Sequence, residues 1–154
     1  MRKGLCWIFG VALLGVVALQ FTNPPHLSPP LVPGHDLMAT NAPPREIAEL
    51  LKNSCYDCHS SETKWPWYSY IAPISWSVVG HVNDARSMLN FSEWPHDDPK
   101  KARKKWRRIA DSIDANEMPL PSYARVHRES RLSDDQRKKL VDWCQQEAEL
   151  LAGQ

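Results

Sequence analysis

The chain has 154 residues, a formal net charge of +1 and 42% hydrophobic residues, which suits one small globular domain with an appendage. A charge so close to zero argues against a nucleic-acid binder. The balance of 13 prolines and seven tryptophans against six glycines argues against a flexible low-complexity protein. The four cysteines are Cys6, Cys55, Cys58 and Cys144; two lie close together and two are solitary, which favours a cofactor or metal site over a disulfide scaffold.

Residues 1–21 have the pattern of a signal-anchor or transmembrane helix. Arg2 and Lys3 precede a stretch that contains no Asp, Glu, Lys or Arg before Asp36. Its apolar part, residues 5–21, lies at the low end of the about 17–25 residues that a spanning helix needs. We expect an uncleaved, single-pass anchor in a bacterial inner membrane, with the rest of the chain in the periplasm. The alternative is a cleaved signal and a soluble periplasmic protein, although the run ends in a poor match to a small-x-small cleavage site.

Residues 22–44 are predicted to be a proline-rich linker, because seven of these 23 residues are proline. Such a composition favours an extended, semi-rigid spacer that holds the following domain away from the membrane. We expect the linker to have no binding role of its own.

Residues 45–152 are predicted to form an all-α domain. Its four helices are expected to begin near Pro44, Pro73, Asp98 and Ser133, where proline or a capping residue precedes an apolar stripe. The first helix is expected to carry Cys55 and Cys58 on one apolar face. The stripe of the second is Ile74, Val78, His81, Ala85 and Leu89. The third is expected to bury Ala102, Trp106, Ile109, Ala110 and Ile113, and the last Leu140, Val141, Cys144, Ala148 and Leu151.

The segment Cys55-Tyr56-Asp57-Cys58-His59 is a C-x-x-C-H motif, the attachment signature of a c-type haem. Two thiols three residues apart can each form a thioether with a haem vinyl group, while the adjacent imidazole reaches the iron. Haem of this type is attached outside the cytoplasm, so the motif and the export segment support each other. A thioredoxin-like site needs a βαβ context, and a zinc site needs two further ligands at suitable spacing. We therefore expect one covalent haem c, with its iron, on Cys55, Cys58 and His59.

The second axial ligand of the iron is expected to be a methionine or a histidine, as in other small cytochromes. Met118 is the first candidate, because two nearby prolines stiffen its loop. His81 is the second candidate. A histidine on the apolar face of a helix is more often a core residue than a ligand, and here it would bind a haem propionate. His127 is a further possibility in a polar stretch that favours a surface loop. Met88 is expected to belong to the core.

Trp65, Trp67 and Tyr70 belong to an aromatic run that we expect to form a wall of the haem pocket. Their N–H and O–H groups can reach the propionates of a haem. Packing of the helices against one another explains the same residues, and the sequence does not separate the two interpretations.

Two further features have plain interpretations. Residues 100–108 contain seven Lys or Arg, which predicts a solvated helix face; a docking patch for an acidic redox partner or for anionic lipid is the alternative. Cys144 lies on the apolar face of the last predicted helix and is expected to be an inert buried thiol.

Seven features carry a resemblance to a known family. They are CYDCHS, TKWPWYSYIAPISW, HVNDAR, LNFSEW, EMPLPSY, His127 and the LSDDQR helix start. Over residues 45–150 the chain resembles the haem-binding domain family of small exported bacterial mono-haem c-type proteins. The resemblance implies that Cys55 and Cys58 carry the haem and that His59 is its proximal ligand. It implies a cofactor more directly than it implies a reaction.

We expect a cytochrome c-like helical domain wrapped around one haem and tethered to the periplasmic face of a membrane. Its expected function is one-electron transfer with redox partner proteins that the sequence does not name, and a Met118 ligand would raise the redox potential. The alternative is a haem-based sensor or peroxidase-like protein with an open or displaceable sixth position, where His81 acts as a proton donor. A third hypothesis is an interaction module in which the haem is structural.

Overall fold

The structure, a computed structural model, describes residues 2–153, and the side chains of Arg2, Lys3, Leu5 and Cys6 lie outside the description. The described residues form eight α-helices, joined by loops and short 3-10 turns, and contain no strand. The helices are α1 (Arg2–Leu19), α2 (Leu37–Asn41), α3 (Arg45–Ser54), α4 (Tyr56–His59), α5 (Ile74–Met88), α6 (Pro99–Asp114), α7 (Pro121–Val126) and α8 (Asp134–Leu150). The prediction of an all-α domain is confirmed.

Helices α6 and α8 begin where their capping residues predict. The Asp98 side chain accepts a hydrogen bond from the Lys101 N–H at 2.9 Å. At the start of α8 the Ser133 hydroxyl accepts from the Gln136 N–H, and the Gln136 side chain accepts from the Ser133 N–H, which completes a capping box. The predicted stripe of α6 is buried, as is that of α8 apart from the partly buried Leu151.

The core lies between α6 and α8 and is rich in tryptophan. The rings of Trp94 and Trp106 have centroids 4.3 Å apart, and those of Trp106 and Trp143 are 4.8 Å apart. Cys144 beside them is fully buried, as predicted. Aromatic pairs at these distances stabilise a core beyond the area they bury, so this half of the domain has a close-packed interior made by the chain alone.

The helix that carries the C-x-x-C-H motif is interrupted. Helix α3 ends at Ser54, Cys55 leaves the helical region with φ −128°, and the motif continues in the short helix α4. The prediction that both thiols lie on one apolar face is therefore wrong. The break turns the chain, so Cys55 packs against the core whereas Cys58 borders a cavity.

Helix α5 begins after Pro73 as predicted, but its buried face differs from the predicted one. The buried residues are Ser75, Val79, Val82 and Ala85. Of the predicted stripe only Ala85 is buried, Leu89 is partly buried, and Ile74 and His81 are exposed to solvent. The physical reason is that Ile74, Val78 and His81 border the same cavity as Cys58, so they face an opening instead of a neighbouring helix.

Residues 22–44 do not form a separate linker throughout, because part of this segment packs into the domain. Within this segment α2 places Leu37 in the core with none of its surface exposed. Asp36 accepts a hydrogen bond from the Tyr56 hydroxyl at 3.2 Å. The burial of Leu37 and these polar contacts outweigh the tendency of proline to keep the segment extended.

The apolar side chains of α1 are exposed. Trp7, Phe9 and Leu14 are 77%, 67% and 70% exposed, respectively. Within the part of the chain that the structure describes, no helix meets the length and hydropathy that crossing a membrane requires.

Substituting Leu37 tests whether the proline-rich segment belongs to the folded domain. Because Leu37 is fully buried, Leu37→Ala is expected to lower the free energy of unfolding by about 2–5 kcal/mol. Leu31→Ala in the same segment is the control: Leu31 is half exposed, and its loss is expected to change stability by no more than about 0.5 kcal/mol. Urea unfolding of the full chain measures both. Equal stability of the two variants would show that the segment is not part of the cooperative fold.

Candidate functional site

The imidazole of His59 is held in one orientation. Its Nδ1 lies 3.1 Å from the carbonyl oxygen of Leu89, which can only accept, so Nδ1 carries the proton and Nε2 is left available as a ligand. Burial lowers the pKa of His59, which favours the neutral ring that binds metals. A backbone carbonyl that fixes the tautomer of a metal-binding histidine is a common arrangement.

The two cysteines of the motif are free thiols. Burial raises the pKa of Cys55 to about 12 and that of Cys58 to about 11. Both are therefore protonated at neutral pH and are poor ligands for a metal ion. Cys58 borders the cavity, while Cys55 packs against the core.

A cavity of about 390 Å³ opens beside the motif. Its apolar border consists of Trp65, Pro66, Ile74, Val78, Val82, Leu120 and Val126, and its polar border includes Asp57, Thr63, Lys64, Tyr68, His81 and Tyr123. The volume lies within the range of about 300–1,000 Å³ that is usual for cofactor and ligand sites. A mostly apolar wall with a few polar groups is also typical of such sites.

Part of the cavity border suits a haem, although Cys55 and His59 of the motif do not border the cavity. The indole Nε1 of Trp65 is buried and has no hydrogen-bond partner among the described residues, although Trp65 borders the cavity. Buried N–H groups are nearly always satisfied, so an acceptor such as a carboxylate is expected there. The apolar wall would suit the faces of a macrocycle, and the Trp65 N–H would suit an anionic propionate.

Of the residues predicted to form the haem pocket, Trp65 and His81 border the cavity. Trp67 and Tyr70 do not: they are 75% and 53% exposed, and Tyr70 stacks on the His26 ring at 4.0 Å.

Met118 lies close to the cavity without bordering it. Its side chain is partly buried and packs against the core. Arg137 donates to its carbonyl oxygen at 3.4 Å and to that of Ile113 at 2.6 Å, which holds the loop against the end of α6. Leu120, two residues further on, does reach the cavity wall. Met88 is 55% exposed, so the prediction that it belongs to the core is wrong.

A group of polar side chains joins α7 to the motif, and the sequence singled out only His127 among them as a possible ligand. The Tyr123 hydroxyl donates to Asp57 Oδ2 at 2.6 Å, and burial raises the pKa of Tyr123. The ring of Tyr123 stacks on His127 at 4.2 Å, and His127 Nε2 lies 2.7 Å from the Tyr68 hydroxyl. Asp57 lies inside the motif and Tyr123 inside EMPLPSY, so both segments were marked, but their contact spans 66 residues.

Arg86 also contacts the motif, and the sequence alone predicted no role for it. Its guanidinium donates to Ser60 O at 2.7 Å and to Thr63 Oγ1 at 2.6 Å, and also to Leu27 O in the proline-rich segment. Its Cζ lies 5.9 Å from the ring of Trp65. The Arg86 guanidinium therefore holds the loop after the motif in place. Its positive charge lies near Trp65, which borders the cavity, and would favour an anionic group of a ligand there.

The basic run of residues 100–108 lies on α6. Five of its seven Lys and Arg residues are exposed, and four of these five, all except Lys101, border an open groove with Asp111 on the same helix. Lys105 is partly buried and donates to Met88 O at 3.4 Å. This exposure agrees with the prediction that residues 100–108 form a solvated helix face.

The family of the chain follows from comparison with known proteins. A family model described as a haem-binding domain matches residues 14–146. The chain belongs to the haem-binding domain family. This confirms the family resemblance found in the motif segments. No curated protein and no solved structure matches the chain.

Removing the Tyr123 hydroxyl tests how strongly α7 is tied to the motif of this haem-binding domain. Tyr123→Phe keeps the ring that stacks on His127 but removes the bond to the Asp57 carboxylate. A hydrogen bond to a charged acceptor contributes about 1.5–3 kcal/mol, and we expect a loss at the lower end because Tyr123 is only half-buried.

Ser122→Ala is the matched control, since Ser122 is exposed and borders the same cavity. Denaturant unfolding of the full chain should separate the two variants. If Tyr123→Phe and Ser122→Ala unfold at the same midpoint, the Tyr123–Asp57 hydrogen bond does not stabilise the fold.

Proposed function

We propose that this haem-binding domain protein is a mono-haem c-type cytochrome that transfers single electrons on the periplasmic side of a bacterial inner membrane. The observation that carries the proposal is the C-x-x-C-H turn itself. It combines two free thiols with a neutral imidazole whose Nδ1 is occupied by the Leu89 carbonyl, and its Cys58 borders an apolar cavity.

Each residue of the turn has a role in this proposal. Cys55 and Cys58 would hold the cofactor through thioethers, in a compartment where it could otherwise be lost. His59 Nε2 is the proximal ligand, and the Leu89 carbonyl keeps its ring in place. The cofactor supplies the redox-active iron, while the chain supplies ligands, an apolar environment and the N–H of Trp65.

Met118 is proposed as the second axial ligand. The loop from Ile113 to Leu120 is fixed at one end by Arg137 and reaches the cavity at the other. Bringing the Met118 side chain to the iron requires it to exchange part of its packing against the core for a place in the cavity. With His59 and Met118 both held as ligands, the cofactor would supply one-electron redox chemistry and leave no position open to a substrate, as in an electron-transfer protein.

The membrane tether is a separate part of the proposal. It is supported by Arg2 and Lys3 before a stretch without charged side chains and by the exposed apolar surface of α1. The domain that follows would then lie in the periplasm, where c-type haem is attached. The intact mass of the protein in the membrane fraction separates this arrangement from a cleaved signal and a soluble periplasmic domain.

A second candidate is a haem-based sensor or peroxidase-like protein with an open sixth position. It is favoured by the placement of His81 at the cavity while Met118 packs against the core. Tyr68 and Tyr123 add two hydroxyl groups to the same wall. Such a polar pocket could hold a diatomic gas or a peroxide.

Replacing Met118 separates the two candidates. The oxidised wild-type protein is expected to show the near-infrared absorption band of methionine–iron ligation, and Met118→Ala is expected to lose it. The ferrous variant is expected to bind carbon monoxide readily, because its sixth position is then open. Met88→Ala is the control, since Met88 is exposed on α5.

The electron-transfer proposal fails if the ferrous wild type binds carbon monoxide readily at neutral pH. If His81→Ala loses gas binding or reaction with peroxide while Met118→Ala keeps both, the sensor or peroxidase is supported instead.

A further inference from the structure

The end of α1 is fixed to the domain by side-chain hydrogen bonds. Gln20 Nε2 donates to Ala72 O at 3.3 Å, and the Ala72 N–H donates to Gln20 Oε1 at 3.0 Å. Asn23 Nδ2 donates to Tyr70 O at 3.2 Å, and the Ser75 hydroxyl donates to Asn23 Oδ1. These bonds hold residues 20–23, directly after α1, against the domain.

Exposed aromatic and apolar side chains surround this junction. The indole N–H of Trp76 donates to Thr22 O at 3.2 Å, and the rest of the Trp76 ring faces outward. We call this surface the aromatic patch; its members, Phe21, Trp67, Tyr70, Ile71 and Trp76, are 41–87% exposed. The cavity does not account for them, because none of the five borders it.

The aromatic patch is also free of charge. No Asp, Glu, Lys or Arg occurs from Gly4 to His35 or from Trp65 to Asn83, the two stretches that meet at the junction. Scattered exposed apolar residues are normal, but a contiguous apolar patch marks an interaction site. The aromatic patch is therefore a candidate interaction surface.

We propose that the aromatic patch lies in the headgroup region of the lipid bilayer that α1 enters, and that it holds the haem domain against the membrane in one orientation. This inference rests on the proposed membrane tether. The ligand is the lipid surface itself, with no second protein required.

Lipid is favoured over a protein partner for two reasons. The patch adjoins the exposed apolar surface of α1 and begins at Phe21, two residues after that helix, where the proposed membrane helix would leave the hydrocarbon. Trp and Tyr are the side chains most enriched at this depth, because an apolar ring and a polar N–H or O–H suit the boundary between lipid and water.

Photolabelling from the bilayer tests the inference directly. The haem-loaded full chain is reconstituted into phosphatidylcholine–phosphatidylglycerol vesicles that contain a phosphatidylcholine with a photoreactive diazirine in its headgroup region. After irradiation, mass spectrometry locates the lipid adducts. We expect adducts on α1 and on residues 67–76, and none on the exposed face of α8.

The outcomes separate this inference from the tether on which it rests. Adducts on α1 without adducts on residues 67–76 would leave the tether standing and overturn the role of the aromatic patch. No adducts on either segment would overturn both. Protein–protein cross-links at residues 67–76 in place of lipid adducts would show that a second copy of the chain covers the patch, which also overturns it.

A pair of substitutions gives a second readout. Trp67→Ser with Ile71→Ser is expected to remove most adducts from residues 67–76 while those on α1 remain. Leu150→Ser, which alters an equally exposed apolar residue on α8, is expected to change nothing. The haem absorption spectrum reports whether each variant is folded, and an unchanged adduct pattern in the double variant would contradict the inference.

Discussion

The hydrogen bond from His59 Nδ1 to Leu89 O is the interaction on which the site depends. It connects the last residue of α4 to the residue directly after α5, so the motif turn is held against the helix that forms much of the cavity wall. Arg86, one turn earlier on α5, reinforces the same connection through Ser60 and Thr63. The ring that the iron would meet is thus oriented by the fold before any cofactor is present.

The domain has two halves with different interiors. Between α6 and α8 the chain fills its own core, with Trp94, Trp106 and Trp143 in contact. Between α4 and α5 it leaves a cavity whose walls are mostly apolar. Phe91 joins the halves, since its ring lies 5.2 Å from Tyr56 and 6.3 Å from Trp94. A small domain has little apolar surface to spare, so a large apolar cofactor in the second half would complete the core.

The sequence predicts what is local and misses what depends on distant partners. Helices α6 and α8 are predictable because Asp98 and Ser133 mark their starts and each stripe faces another part of the chain. The C-x-x-C-H residues are contiguous, so the motif is visible without a structure. The buried face of α5 was misassigned because apolar residues that border a cavity and those that face a core have the same spacing. The burial of Leu37 and the Tyr123–Asp57 bond are set by residues far apart in the chain.

The central claim is that this haem-binding domain carries its haem covalently on Cys55 and Cys58. The most direct test is the mass of the full chain under denaturing conditions, after expression with a haem-attachment system. The account predicts the mass of the chain plus one haem, retained after acid–acetone extraction and lost when both cysteines are replaced by serine. A bare chain mass, with the haem released into the solvent, would contradict it.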